Sequence, residues 1–182
     1  MSVVSDILLL SGSLRTDSTN SALLRTAGSL MAEGFRGAMY EGMGQLPHFN
    51  PDEDDDPLPP AVRDLRRRIA SAAGLLICTP EYAGALPGSF KNLLDWTVGG
   101  VEICDKPTAW INVSAKATGA ANAHSSLRLV LNYTGAAIVD EACVHAPVVP
   151  SMINEDRIIT DRTVRDAVAG SLAVLTKRAA LS

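Results

Sequence analysis

The chain has 182 residues, of which 47% are hydrophobic and 20% are charged, and its formal net charge is −4. This length suits one domain of ordinary size, spanning residues 1–182, with enough chain to bury a hydrophobic core. Acidic residues outnumber Lys and Arg by 20 to 16, and five of the acidic residues form one run at 52–56. We expect no nucleic-acid partner, because nucleic-acid-binding domains gather basic residues on one face.

The sequence shows no sign of a membrane span or a secretion signal. No apolar stretch reaches the roughly 18 residues that a spanning helix needs, and residues 1–6 lack the basic start of a signal peptide. The three cysteines, Cys78, Cys104 and Cys143, do not have the spacing of metal ligands. These features predict a cytoplasmic protein with reduced, structural thiols, no metal and no membrane contact.

Short, dense apolar runs alternate with longer stripes of apolar residues at helical spacing. We predict strands at residues 7–10, 35–40, 74–78, 108–113 and 136–145. The predicted helices begin at Ser18 or Thr19, at Pro59-Pro60, at Pro87 and at Asp161, and a further helix carries Leu127, Val130 and Leu131. The polar passage at 42–60 is too long for a simple connector, so it is either a functional loop or partly mobile.

The alternation of five strands with five helices predicts parallel β-α units joined by right-handed crossovers. The predicted fold class is therefore α/β, a three-layer α/β/α sandwich around a five-stranded parallel sheet with the common strand order 2-1-3-4-5. Such sheets bind ligands beyond the carboxyl ends of their strands, where the winding of the chain reverses. We therefore expect the chemistry at the ends of the first, third and fourth strands.

The first loop at this edge, residues 11–20, joins a buried strand to a helix. It carries five hydroxyl side chains, one guanidinium at Arg15 and an amide at Asn20. Free backbone N–H groups and the helix dipole favour an anion here, and Arg15 can add a planar clamp. The loop lacks the glycines of a dinucleotide fingerprint and of a nucleoside triphosphatase loop, so it suits a terminal phosphate monoester. The alternative is that Ser18, Thr19 and Asn20 only cap the helix.

The second loop, residues 79–88, contains two prolines and two glycines around Glu81 and Tyr82. Its backbone N–H groups can address the edge of a planar heterocycle, and Tyr82 can cover a face. The alternative is a rigid turn with Tyr82 as an ordinary surface aromatic. For Glu81, capping of a nearby backbone amide is favoured over general-base catalysis. The third loop, residues 114–119, is small and polar, which permits close approach to a ligand.

Together the motifs SGSLR…STN at 11–20 and TPEY…G…PG…KN…DW at 79–96 resemble the NADPH-dependent FMN reductase family. The resemblance spans nearly the whole chain and implies a flavodoxin-like fold, bound FMN, NADPH or NADH as co-substrate, and a homodimer or tetramer. It implies a set of cofactor-binding residues at Ser13, Arg15, Ser18, Thr19, Asn20, Pro80, Glu81, Tyr82, Ala83, Gly84 and Ser114. Many family members have Asn where this chain has Ala83, and a third loop richer in glycine.

The resemblance implies that hydride passes from NAD(P)H through FMN to a small-molecule acceptor such as a quinone, an azo compound or free flavin. A ping-pong cycle of this kind needs no obligatory catalytic side chain, because the flavin supplies the chemistry. Two alternatives stay open: a flavodoxin-type electron carrier that does not oxidise NAD(P)H directly, and a non-catalytic module of the same fold.

Three further features have a simple structural interpretation. Arg63 and the run 66–68 could reach the 2′-phosphate of NADPH, but a solvated helix face is favoured. The acidic run at 52–56 is expected to be an exposed loop. Trp96 is expected in the core, with a subunit contact as the alternative.

Overall fold

A parallel sheet forms the centre of the protein, whose computed structural model describes residues 4–181. Its strands are β1 (Ser5–Ser11), β2 (Phe35–Met39), β3 (Gly74–Cys78), β4 (Pro107–Asn112), β5 (Ala137–Ile138) and β6 (Val144–His145). The strand order is β2-β1-β3-β4-β5, and β6 also pairs with β4. Every pairing is parallel. The predicted order 2-1-3-4-5 is therefore confirmed.

The prediction of one strand over residues 136–145 is wrong. β5 pairs with the start of β4 and β6 pairs with its end, and a 3₁₀ turn at Asp140–Ala142 separates the two short strands. The sheet consequently has six strands rather than five. Asp140 and Glu141 of this turn are exposed, whereas Ala142 is fully buried, and its carbonyl accepts a hydrogen bond from the Ser171 hydroxyl at 2.6 Å.

Helices cover both faces of the sheet, as predicted. They are α1 (Thr19–Ser29), α2 (Pro60–Ser71), α3 (Gly88–Asp95), α4 (Ala121–Tyr133) and α5 (Arg162–Ala179). Alternate side chains of β1 enter two separate hydrophobic clusters, with Leu8 facing α2, α3 and α4, and Leu9 facing α1 and α5. A strand buried on both faces needs a continuous apolar run, which explains the dense pattern at 7–10.

Two helices begin at the capping residues that the sequence predicted. Ser18 caps α1 by accepting from the N–H of Asn20, and Asp161 caps α5 by accepting from the N–H of Val164. The third helix ends at Asp95, and Val98 beyond that end is 63% exposed. Trp96 is fully buried, which confirms its expected place in the core.

The passage at 42–60 is held against α2 and α3. The indole N–H of Trp96 donates to the Pro47 carbonyl at 2.8 Å, and Arg66 forms a buried ion pair with Asp54. Arg66 also donates to the Trp96 carbonyl at 2.9 Å. Two expectations are therefore wrong: Arg66 does not lie on a solvated face, and Asp54 of the acidic run is not exposed. The other members of both groups, Arg63, Arg67, Arg68, Asp52, Glu53, Asp55 and Asp56, are exposed as expected.

Candidate functional site

A cleft of about 390 Å³ opens at the carboxyl ends of β1, β3 and β4. Its lining residues come from all three loops and from the segment after β6: Thr19, Asn20, Thr79, Pro80, Glu81, Asn112, Val113, Ser114, Ala120 and Val148. Ser13 and Arg15 line a second cavity of about 240 Å³ on the β2 side of the first loop, which shares no lining residue with the cleft. The fold therefore brings the predicted residues to one edge of the sheet. Ser18, Tyr82, Ala83 and Gly84 flank these cavities without lining either of them.

The first loop is rich in hydrogen-bond donors that the protein leaves free. The Ser18 hydroxyl oxygen accepts from both the N–H and the side-chain amide of Asn20, at 3.2 and 3.3 Å, so its own proton remains available. Within residues 4–181, no acceptor is bonded to the backbone N–H groups of Leu14, Thr16 and Asp17. Converging N–H and O–H donors at a helix N-terminus fit the oxygens of a phosphate ester.

Asn20 links the first loop to the end of β3. Its side-chain oxygen accepts a hydrogen bond from the Cys78 thiol at 3.2 Å. Burial raises the pKa of the Cys78 thiol, which stays protonated and can act as the donor. The expectation that this cysteine is structural is therefore confirmed.

The first and second loops touch at Gly12 and Thr79. A Cβ atom on Gly12 would lie 2.1 Å from the Thr79 hydroxyl oxygen, so a side chain at position 12 would push the loops apart. Thr79 lines the cleft and was not among the predicted site residues. The sequence signal that could have indicated it is its position directly after a buried strand.

The second loop contains a tight two-residue turn. Tyr82 and Ala85 exchange both of their backbone hydrogen bonds, and Ala83 and Gly84 between them have φ angles of 51° and 74°. Two successive positive φ angles define a type I′ turn. The Tyr82 side chain is 47% exposed beside the cleft. The carboxylate of Glu81 accepts from the N–H of Ala123 at 3.0 Å, so its predicted role as a cap is confirmed.

Two histidines hold the ends of the third loop. The ring N–H of His145 donates to the Ser114 carbonyl at 2.7 Å, and that of His124 donates to the Ala120 carbonyl at 2.8 Å. Since a carbonyl only accepts, these contacts assign the proton to Nε2 of His145 and to Nδ1 of neutral His124. Sequence reasoning did not select either histidine. His145 lies 31 residues from Ser114 in the chain, whereas His124 lies only four residues from Ala120, where its contact resembles an ordinary contact within a helix start.

The described residues contain no metal-binding group of histidine, cysteine and carboxylate side chains. Among residues 4–181, no helix combines the length and the apolar character that crossing a membrane requires.

The sequence model of the NADPH-dependent FMN reductase family matches residues 5–149. The chain belongs to this family. A 2-hydroxy-1,4-benzoquinone reductase from a Burkholderia species is 38% identical over 138 residues, which cover 74% of each chain. A quinone reductase from Pseudomonas putida is 30% identical over 150 residues, covering 81% of this chain and 77% of that protein.

A solved structure shares the fold of this FMN reductase family member over nearly its whole length. FerB, an NAD(P)H:acceptor flavoenzyme from Paracoccus denitrificans, matches with a TM-score of 0.82 and 28% identity, covering 96% of this chain and 99% of that one. The protein is an NAD(P)H-dependent oxidoreductase with FMN as its flavin cofactor. The free donors of the first loop and the adjoining cleft are compatible with the phosphate and the ring of that cofactor.

Proposed function

We propose that the protein reduces a quinone, or a small acceptor of similar chemistry, with electrons from NADPH or NADH through FMN held in the cleft. The observation that carries this proposal is the set of unpaired donors in the first loop, whose last two residues, Thr19 and Asn20, line the cleft. The relatives from Burkholderia and Pseudomonas putida are both named as quinone reductases, which supports a quinone as the acceptor.

The proposed cofactor contacts divide between the three loops. Residues Ser13, Arg15, Ser18, Thr19 and Asn20 would hold the phosphate; Pro80, Glu81, Tyr82, Ala83 and Gly84 would lie along the ring; and Ser114 would lie near the ribityl chain or the pyrimidine end. When bound, FMN supplies a two-electron carrier that accepts hydride from NAD(P)H and then reduces the acceptor. The protein's own contribution is to bind and orient that carrier.

The side chains around the cleft suit binding better than covalent catalysis. Glu81 is engaged with the N–H of Ala123, and the Cys78 thiol is buried and protonated. The half-exposed Tyr82 ring offers an apolar cover at the mouth of the cleft. We therefore assign no obligatory catalytic side chain.

Two measurements test the proposed function. The purified protein, loaded with FMN and then freed of excess flavin, should show a bound flavin spectrum. Under anaerobic conditions it should turn over NADPH or NADH only when 1,4-benzoquinone or a related acceptor is added. Azo dyes and free FMN serve as the competing acceptors. Failure to bind FMN would reject the proposal, and flavin binding without NAD(P)H oxidation would favour an electron carrier instead.

We also infer a homodimer or homotetramer in the cytoplasm. Leu129 and Tyr133, one turn apart on α4, are 63% and 90% exposed and offer apolar surface for a subunit contact. The three cysteines are unpaired, as is usual in a reducing compartment. The mass in solution, measured by light scattering, tests the oligomer, and a monomeric mass would contradict it.

A further inference from the structure

A hairpin outside the family match is anchored beside the first loop. Its base is the antiparallel bridge between Ile153 and Ile159, and the match to the family ends at residue 149. Ile159 is fully buried, and its N–H donates to the Thr26 hydroxyl on α1 at 2.8 Å. The hairpin is therefore fixed to the helix that begins at the first loop.

The tip of the hairpin presents Arg157 to the first loop. Arg157 has a φ angle of 60°, a conformation that costs a residue with a side chain about 1–2 kcal/mol. Its Nε lies 3.3 Å from a carboxylate oxygen of Asp17, and this nitrogen is buried without an aligned hydrogen bond. The contact is thus an ion pair held by charge. The surrounding hairpin is fixed by the Asn154 side chain, whose oxygen accepts from the N–H of Ile158 at 2.8 Å.

The position of Asp17 explains why such a pair matters. Asp17 lies between Arg15 and Ser18, in the loop whose free donors fit a phosphate. Its carboxylate would repel a phosphate dianion bound to this loop and oppose the attraction that Arg15 supplies. A cation paired with Asp17 removes that repulsion and leaves the loop with a net positive charge.

We infer that Arg157 is a positioning residue of the phosphate site, acting by neutralising Asp17 and tethering the first loop to the hairpin. This inference rests on the proposed function, because it concerns the site that would hold the phosphate of FMN. The inference adds two residues to the proposed phosphate site. Arg157 lies outside the part of the chain that matches the family, and Asp17 carries the negative charge that Arg157 balances.

The test is a fluorescence titration of the flavin-free, full-length protein with FMN and, separately, with riboflavin, which lacks the phosphate. Arg157→Gln should weaken FMN binding about 1.5- to 5-fold, as expected for a partly exposed ion pair, and leave riboflavin binding unchanged. Added salt should shrink the difference from the parent protein. The double variant Asp17→Asn/Arg157→Gln should regain most of the lost FMN affinity.

The matched control is Arg162→Gln, which removes a guanidinium from the exposed pair with Asp166 on α5. This variant should bind both flavins like the parent. Equal losses of FMN and riboflavin affinity in Arg157→Gln would overturn the inference in favour of a general structural role, and so would an unchanged FMN affinity. If the parent protein binds FMN normally in either case, the proposed function stands; if it binds no flavin, both fail.

Discussion

The carboxylate of Glu81 and the backbone N–H of Ala123 are joined by a hydrogen bond of 3.0 Å. Helix α4 begins after Ala120, which has a left-handed backbone and no side chain able to cap the helix. Glu81 supplies the missing acceptor from another part of the chain, and its charge also complements the positive end of the helix dipole. The second loop and α4 are thereby tied together across the mouth of the cleft.

Glu81→Ala should lower the free energy of unfolding by about 0.5–2 kcal/mol, the usual cost of losing a helix cap. Chemical denaturation followed by circular dichroism measures it. Glu33→Ala, at an exposed position in a turn, is the control and should change stability little. Equal stability of the two variants would mean that the Glu81 contact contributes nothing in solution.

Arg15→Ala should weaken FMN binding by about 1.5–3 kcal/mol, since a charge-assisted hydrogen bond to the phosphate is lost. Riboflavin affinity should not change, because the lost partner is the phosphate. The control is Arg36→Ala, which removes an arginine paired with Asp6 at the opposite end of the sheet. Titration with both flavins measures the effect, and an FMN affinity equal to that of the control variant would argue against Arg15 as a phosphate ligand.

The turn at Ala83 and Gly84 offers a matched pair of substitutions. Ala83→Gly should stabilise the protein by up to about 1 kcal/mol, because glycine adopts a positive φ without the steric cost that alanine bears. Gly84→Ala should destabilise the protein by about 1–2 kcal/mol, because alanine bears the cost of a positive φ that glycine avoids. A clash adds nothing to this cost, since a Cβ atom at position 84 meets only Asn122 at 4.0 Å. Thermal unfolding of both variants checks the opposite signs. Shifts of the same sign would show that backbone strain does not govern this turn.

Removing one partner of the buried pair of Arg66 and Asp54 should greatly lower the free energy of unfolding. Arg66→Met should cost about 3–5 kcal/mol, because it leaves the carboxylate buried without a partner. Asp54→Leu/Arg66→Met should recover much of that loss, since no unpaired charge remains. Urea unfolding of the single and double variants measures the difference. A double variant no more stable than the single one would show that the hydrogen bond from Arg66 to the Trp96 carbonyl dominates.

The burial of His124 should make the free energy of unfolding depend on pH. Burial lowers the pKa of His124 below its ordinary value of 6.5, against smaller opposing effects from the Ala120 carbonyl and Glu81. The unfolded chain then binds a proton more readily than the folded protein, so stability falls as the pH drops through 6.5. In His124→Asn this part of the decline should disappear, whereas in His48→Gln, at an exposed position, it should persist. Denaturation curves between pH 8 and pH 5 measure it, and identical slopes for His124→Asn and the parent would contradict the prediction.

The location of the site was predictable because it depends on local patterns and one topological rule. The dense runs at 7–10 and 74–78 identified strands buried on both faces, and the loops that follow them necessarily meet at the carboxyl edge of a parallel sheet. The contacts that shape the site were not predictable. Asn20 with Cys78, and His145 with Ser114, are partners separated by 58 and 31 residues.

By itself, the sequence determined the alternation of strands and helices, the strand order and the donor-rich loop, because periodicity, capping residues and turn residues act over a few positions. Only the tertiary structure decided the split of the last strand, the burial of Arg66 with Asp54 and the approach of Arg157 to Asp17. Each of these depends on which distant groups the packed core brings within a few ångströms. A charged side chain has the same local pattern whether it faces water or a partner, so burial is decided only when the layers assemble.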